Sequence, residues 1–95
     1  MPASTLDDEV KIADGVVFQK IGEETVLLNL DTGFYYGLDS VGTRVLELLA
    51  EQRSLRLVFD RILEEYEVAP QQLQQDLLGL VDQLKASALV EVVGQ

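Results

Sequence analysis

The side chains of this sequence that could do chemistry are mostly carboxylates, because the chain contains no histidine and no cysteine. Histidine is the commonest general base and the commonest metal ligand. Cysteine supplies thiolates for nucleophilic attack and for zinc sites. The hydroxyl nucleophiles Ser4, Ser40, Ser54 and Ser87 therefore have no histidine to activate them.

The carboxylates are also poorly arranged for catalysis. Asp7–Asp8 and Glu64–Glu65 are adjacent in sequence, and adjacent residues of a helix point about 100° apart, so they do not converge as an acid and a base. No calcium-binding loop with alternating Asp residues and no glycine-rich phosphate loop occurs. We therefore expect a protein that is not an enzyme and that uses no cofactor and no metal ion.

The charge balance argues against two classes of partner. Seven Lys and Arg residues stand against 17 Asp and Glu residues, a formal net charge of −10. Nucleic-acid binding requires cations that replace the counterions condensed on phosphate, and anionic membrane surfaces also attract basic segments. Only Arg53, Arg56 and Arg61 lie near one another, with Asp60 among them. We expect no nucleic-acid and no membrane partner, whereas a basic peptide would suit this charge.

The most informative stretch, residues 24–39, predicts a hairpin that leads directly into a helix. Residues 25–30 form a strand, residues 31–33 form a three-residue loop in which Gly33 takes a positive φ, and residues 34–38 return as a strand. This returning strand is apolar on both faces. Because the backbone groups of an edge strand can pair with a foreign chain, the strand is a candidate dock for another peptide.

The elements around this stretch complete a small fold. Residues 16–21 precede it as a first strand, joined by the turn at Gly22–Glu23. Three amphipathic helices follow. Asp39 or Ser40 caps the first helix, Ser54 caps the second, and Pro70 begins the third. The predicted fold is α+β and winged-helix-like, with a three-stranded antiparallel sheet followed by a three-helix bundle.

The chain divides into two predicted parts. Residues 1–13 are polar, acidic and without a period, so we expect a flexible N-terminal arm. Residues 14–93 form the domain. Within it, the apolar run at residues 89–93 either adds a strand or packs over the helices.

The order of motifs resembles the PqqD family. Leu27–Asp39 is similar to the central motif of that family, and Leu63–Val68, Asp76 and the closing Leu89–Val90 follow in the same order. The resemblance covers Gly15–Val92, which is most of the chain.

Two positions depart from the family pattern. Glu51–Arg53 stands where the family often has Asp-Gly between the first two helices, and Ala88 stands where it often has Gly before the closing Leu-Val. Both positions concern turns rather than the groove.

The resemblance implies a function. PqqD-like proteins are peptide chaperones, or recognition elements, of natural-product biosynthesis, including the PQQ and lasso-peptide pathways. They bind the leader of a ribosomally made precursor peptide and present it to a modifying enzyme. That enzyme is a radical-SAM protein or, in lasso pathways, a leader peptidase and cyclase.

The resemblance also implies a site. The leader adds as an antiparallel strand to the third predicted strand and lies against the third helix. Independently of the resemblance, Asp76 borders the apolar stripe of the third helix and could meet a basic leader residue at the groove rim. The implied peptide-binding residues are Phe34, Tyr35, Tyr36, Gly37, Leu73, Asp76, Leu77 and Leu80.

A purely structural role also remains open for the same residues. Phe34 and Tyr36 share one face of the strand with Leu38 and could simply fill the core, whereas Tyr35 lies on the opposite face and is the better partner contact. The leucines of the third helix could be core residues, and Asp76 could be a solvated charge.

Two other functions compete with the peptide chaperone. A winged-helix transcription regulator needs a basic recognition helix, but residues 70–85 hold Asp76, Asp82 and the single cation Lys85. The chain could also be a structural subunit of a maturation complex. We expect a cytoplasmic location, because residues 1–9 do not resemble a secretory signal and no run is long enough to span a membrane. The oligomeric state is open, because edge strands can also mediate dimers.

Overall fold

The computed structural model of the chain describes residues 4–93. It confirms the predicted α+β, winged-helix-like order of three antiparallel strands followed by three helices, and it adds a strand at each end. The elements are β1 (Glu9–Ile12), β2 (Val16–Ile21), β3 (Glu24–Asn29), β4 (Tyr35–Leu38), α1 (Ser40–Glu51), α2 (Leu55–Glu65), α3 (Pro70–Ala86) and β5 (Val90–Val93).

The main sheet has the antiparallel order β2-β3-β4, so β2 and β4 are its two edges. Its turns confirm the predicted hairpins, because Gly22 and Gly33 take φ values of +64° and +79°. β4 is shorter than the predicted strand and begins at Tyr35, so that Phe34 belongs to the loop. The helices cover one face of this sheet, which we call the inner face.

The inner face contains polar residues whose hydrogen bonds are satisfied. On β3 it carries Thr25, Leu27 and Asn29, which are all buried. The Thr43 hydroxyl of α1 donates to the Thr25 hydroxyl at 3.0 Å. A buried hydroxyl without such a partner would be costly. The sheet is therefore fixed to α1 by a polar contact as well as by apolar packing.

The helix ends follow the sequence prediction. Asp39 caps α1 by accepting from the Gly42 N–H at 2.8 Å, and Ser54 caps α2 by accepting from the Leu57 N–H at 3.3 Å. Pro70 occupies the first turn of α3, where its missing N–H costs nothing. Of the helices in residues 4–93, none combines the length and the apolar character that a membrane crossing requires.

The predicted flexible arm is folded from residue 4 onward, which corrects the sequence analysis. β1 pairs with β5 in a separate antiparallel sheet, and the Val10 N–H donates to the Arg53 carbonyl at 2.8 Å. Leu6 and Val10 are buried among the helices. The prediction failed because these two apolar residues are isolated in a polar segment and their partners lie far away in the sequence. Residues 1–3 of the predicted arm lie outside the described residues.

The folded arm is fixed to α3 at Asp82. The Ser4 N–H donates to Asp82 Oδ1 at 3.0 Å, and Lys85 Nζ donates to the Ser4 hydroxyl at 3.0 Å. The hydrogen bonds from the Ser4 side chain and backbone lower the pKa of the Asp82 carboxyl. The ionised carboxylate is therefore the form that the folded state prefers.

This lowered pKa predicts a pH-dependent stability. Because the folded-state pKa lies below the unfolded value, the contribution of Asp82 is present above about pH 4 and is lost as the pH falls through the folded-state pKa. Asp82→Asn should therefore lower the free energy of unfolding more at pH 7 than at pH 2.5. Urea titrations of both proteins at the two pH values measure this. An equal difference at both pH values would contradict the prediction.

The turn before β5 places Ala88 at a φ of +58°, in the left-handed region. A residue with a Cβ pays about 1 kcal/mol there, which glycine avoids at some cost in unfolded-state entropy. The position where the PqqD family often has glycine is therefore one where the backbone favours it. Ala88→Gly should raise the free energy of unfolding by about 0.5 kcal/mol in chemical denaturation. A loss of stability would show that the turn tolerates alanine without strain.

Candidate functional site

Within residues 4–93, no strand pairs with the outer edge of β4, and the ladder identifies which backbone groups point toward this edge. The Asn29 N–H donates to the Phe34 carbonyl at 2.9 Å, so these two residues form a hydrogen-bonded pair. Bonded and non-bonded pairs alternate along an antiparallel ladder. Leu28↔Tyr35 and Val26↔Gly37 are therefore the non-bonded pairs. The N–H and C=O groups of Tyr35 and Gly37 consequently point away from β3 toward the edge.

A groove of about 730 Å³ lies beside this edge. Its first wall is β4 and the start of α1, and its second wall is the face of α3 from Leu73 to Gln83. The end of α2 and the following connection, at Tyr66–Val68, line it at one end. An extended peptide that paired with β4 would therefore lie with one face against α3.

The four predicted residues of the strand have different surroundings. Tyr35 is 76% exposed and Phe34 is 54% exposed, and only Tyr36 and Gly37 line the groove. Apart from the two chain neighbours of Gly37, no described residue has an atom within 4 Å of a Cβ placed there, so the backbone is open to a close approach. The edge thus offers backbone groups at Tyr35 and Gly37 and an inward side chain at Tyr36.

The four predicted residues of the helix all line the groove. Leu73 and Leu77 are buried core residues whose edges form its floor, and Leu80 is half-buried. Asp76 is exposed on the wall and accepts from Gln72 Nε2 at 2.9 Å. All four helix residues therefore lie beside the groove that β4 borders, and two of them also belong to the core.

One side-chain bridge crosses the groove. The Tyr36 hydroxyl donates to Gln83 Oε1, which joins β4 to the last turns of α3. The bridge limits the groove at the end nearest to Tyr35. The opposite end, beyond Leu38, remains open toward the connection between α2 and α3.

Three lining residues of consequence were missed by sequence reasoning. The sequence predicts Asp39 as a helix cap at the end of one family motif, places Glu67 in another family motif, and gives no role to Gln83. Neither residue spacing nor periodicity relates the α2–α3 connection to β4, so only the folded chain brings these residues together. The charged residues that line the groove are Asp39, Glu67 and Asp76, and all are acidic.

The outer face of the main sheet is apolar and exposed. Cross-strand partners share a face, so the register places Val17, Ile21, Val26, Leu28 and Tyr35 together on it. All except the half-buried Leu28 are exposed. In residues 4–93 no element packs against this face, and Tyr35 links it to the edge that borders the groove. Such a contiguous apolar patch is typical of an interaction surface.

Comparison with known proteins identifies the family. The model of the family described as coenzyme PQQ synthesis protein D (PqqD) matches residues 24–90. This range runs from β3 to the first residue of β5 and contains both walls of the groove. The chain therefore belongs to the PqqD family. A search of curated proteins finds no match.

Two solved structures share the fold of this PqqD-family protein. One, described as TbiB1 in complex with the TbiA(beta) leader peptide, is 39% identical and superposes with a TM-score of 0.82 over 90% of this chain and 99% of that one. The other, a lasso peptide synthetase B1 complexed with the leader peptide, is 23% identical with a TM-score of 0.77 over 87% and 98%. The second likeness concerns the fold alone.

Proposed function

We propose that this PqqD-family protein binds the leader of a ribosomally synthesised precursor peptide by strand addition at β4 and presents it to a modifying enzyme. The observation that carries this proposal is the free edge of β4 beside a groove. Backbone hydrogen bonds from an edge supply affinity, and the neighbouring groove selects side chains. The TbiB1 relative, which is described with a bound leader peptide, supports the same function.

The edge defines how the peptide pairs. An antiparallel strand would form two hydrogen-bonded pairs, one with Gly37 and one with Tyr35. The intervening peptide residue, opposite Tyr36, would turn its side chain into the groove, because neighbouring residues of a strand face opposite sides. We call this the anchor residue. Leu77 and Leu80 offer it an apolar surface.

The direction of the peptide follows from the antiparallel pairing. The N-terminal part of the leader would lie beyond Leu38, at the open end of the groove near Tyr66. Its C-terminal part would pass the bridge between Tyr36 and Gln83. The segment to be modified would therefore leave at the Tyr35 end of β4.

The role we propose is non-catalytic. The chain contains no histidine and no cysteine, and within residues 4–93 no three Asp or Glu residues are placed to hold a metal ion. The chemistry would thus belong to the enzyme, either a radical-SAM protein or a leader peptidase and cyclase of the lasso type. We place the dock of that enzyme on the outer face, because Tyr35 joins this face to the edge where the segment to be modified would leave.

The division between groove and outer face predicts a variant that separates binding from presentation. Val26→Lys places a charge in the centre of the outer face and leaves the groove unchanged. We expect the Kd for the leader to stay within about twofold and the rate of enzymatic modification to fall at least about tenfold, because a lysine desolvated in an apolar interface is costly. Fluorescence anisotropy and a turnover assay with the cognate enzyme measure the two quantities.

Gln19→Lys is the control for this variant. Gln19 lies on the same face but on the edge strand β2, farther from β4, and its substitution should change turnover less. Equal losses for Val26→Lys and Gln19→Lys would argue against a dock centred on β3.

The proposed function itself is tested by titration. Labelled TbiA(beta) leader peptide and the labelled leader of any precursor peptide encoded near the gene of this chain are titrated with the protein. Saturable binding of either one, competed by the unlabelled peptide, is the expected result. If neither binds but the chain co-purifies with a maturation enzyme, the structural-subunit alternative gains. Binding of DNA at moderate salt would favour the transcription regulator instead.

A further inference from the structure

We propose that the groove selects leaders that carry a lysine or arginine on the N-terminal side of the anchor residue, two or four positions before it. This inference rests on the proposed function and adds to it the chemistry and the position of a specificity determinant. It follows from the charges that line the groove and from the direction in which an added strand would run.

The charges at the groove are of one sign. Among residues 4–93, Asp39, Glu67 and Asp76 line it, and no Lys or Arg does. In the described part of the chain, none of the three carboxylates forms an ion pair, whereas Glu47 and Glu65 are each bridged by arginine. A cleft lined by one sign of charge concentrates the opposite sign. The groove thus favours a cationic side chain over a neutral one.

The three carboxylates gather at one end of the groove. Tyr36 is level with Gln83, to which it is bonded. Leu38 then packs with Leu80 and Leu84, whereas Val45 of α1 packs in the other cluster with residues nearer the start of α3. The chain after β4 therefore passes α3 toward its N-terminus.

The distance along α3 from Gln83 to Asp76 places Asp76 at the end of the groove beyond Leu38. It precedes Gln83 by seven residues, which span about 10 Å of a helix, and three strand residues span about the same length. Asp76 is therefore approximately level with Asp39, and Glu67 lies in the connection that lines this end.

The pairing direction converts this position into a sequence preference. An antiparallel peptide has its N-terminal residues beyond Leu38, where the carboxylates lie. Only alternate residues face the groove, and these are the residues two and four positions before the anchor residue. The other end, bridged by the neutral pair of Tyr36 and Gln83, provides no charge of either sign. A cation after the anchor residue should therefore not raise the affinity of the peptide for the groove.

An array of fixed peptides tests the inference. Twelve-residue, fluorescein-labelled peptides share a Thr/Ser background and one Leu anchor, and a single Lys, Gln or Glu is moved through the other positions. We expect Lys two or four residues before the anchor to bind about tenfold more tightly than Glu there. After the anchor, Lys and Glu should bind within about twofold of each other. Added salt should diminish the preference.

Paired variants identify the carboxylates. In Glu67→Gln/Asp76→Asn, the ratio of Lys-peptide to Gln-peptide affinity should fall toward one. The matched control, Asp60→Asn/Glu64→Gln, removes the same charge from α2 outside the groove and should keep the ratio. Peptides that bind without regard to the position of Lys, or a preference for Lys after the anchor, would overturn this inference and leave the proposed function standing. If neither the array nor either leader shows binding, the proposed function fails and the inference fails with it.

Discussion

Gly37→Pro should weaken leader binding at least about thirtyfold without unfolding the protein. The substitution removes the N–H of Gly37, which we infer to point away from β3 to the free edge. It leaves a carbonyl of the incoming strand without a donor, a loss of about 1–3 kcal/mol, and about 1.4 kcal/mol corresponds to a tenfold change in Kd. The proline ring also occupies the space into which that carbonyl would come.

The fold should tolerate this proline because the N–H that it removes points away from β3 and takes no part in the ladder with that strand. Proline is accepted on an edge strand where the missing N–H would face solvent. It also favours extended backbone at the preceding residue, here Tyr36 within β4. Fluorescence anisotropy with the labelled leader gives the Kd, and thermal unfolding monitored by circular dichroism shows whether the fold survives.

Two controls separate this effect from other consequences of substitution. Gly37→Ala keeps the N–H, and its Cβ would meet no described residue within 4 Å other than its chain neighbours, so this variant should bind the leader far better than Gly37→Pro. Phe18→Pro tests whether a proline on an edge strand weakens leader binding wherever it is placed. Phe18 lies on the opposite edge strand β2, where the two-residue turn makes Ile21↔Glu24 a bonded pair and directs the Phe18 N–H outward. If both proline variants reduced binding alike, the site would not be the edge of β4.

The sequence predicts the local features of this fold well, because each is specified by a few neighbouring residues. The turn at Gly33 requires a positive φ, Asp39 and Ser54 are good caps, and Pro70 starts a helix. The strand β1 was not predictable in the same way. It exists because Val10 fits among the helices and β5 pairs with it, and both partners are distant in the sequence.

The candidate site, like the fold, could be predicted from the sequence only in part. The alternation of residues 34–38 correctly separates Tyr35 from Tyr36 and Leu38. It does not reveal that the helices leave the more apolar face of β3, at Val26 and Leu28, without a cover. That outcome depends on Thr25 and Asn29 finding polar partners on the inner face, which residue types alone do not specify.

Asn29→Ala should lower the free energy of unfolding by about 2–4 kcal/mol, the largest stability change that we expect from one polar side chain. Asn29 Nδ2 donates to the Ala88 carbonyl at 2.7 Å. Its Oδ1 accepts from the N–H groups of Asp31 and Thr32 at 2.8 and 3.1 Å. Each hydrogen bond contributes about 1 kcal/mol, and a buried partner left without one costs more.

These bonds join the hairpin that precedes β4 to the turn that precedes β5, so their loss should loosen both. In a domain of this size, 2–4 kcal/mol corresponds to a fall in Tm of roughly 10–25 °C. Leu30→Ala is the neighbouring control, because Leu30 is 62% exposed and its truncation should change Tm little. Asn29→Asp keeps the acceptor but sets a carboxylate against the Ala88 carbonyl, so it should also destabilise the fold. If Asn29→Ala unfolded at the same denaturant concentration as Leu30→Ala, the buried amide would not be what holds the two turns together.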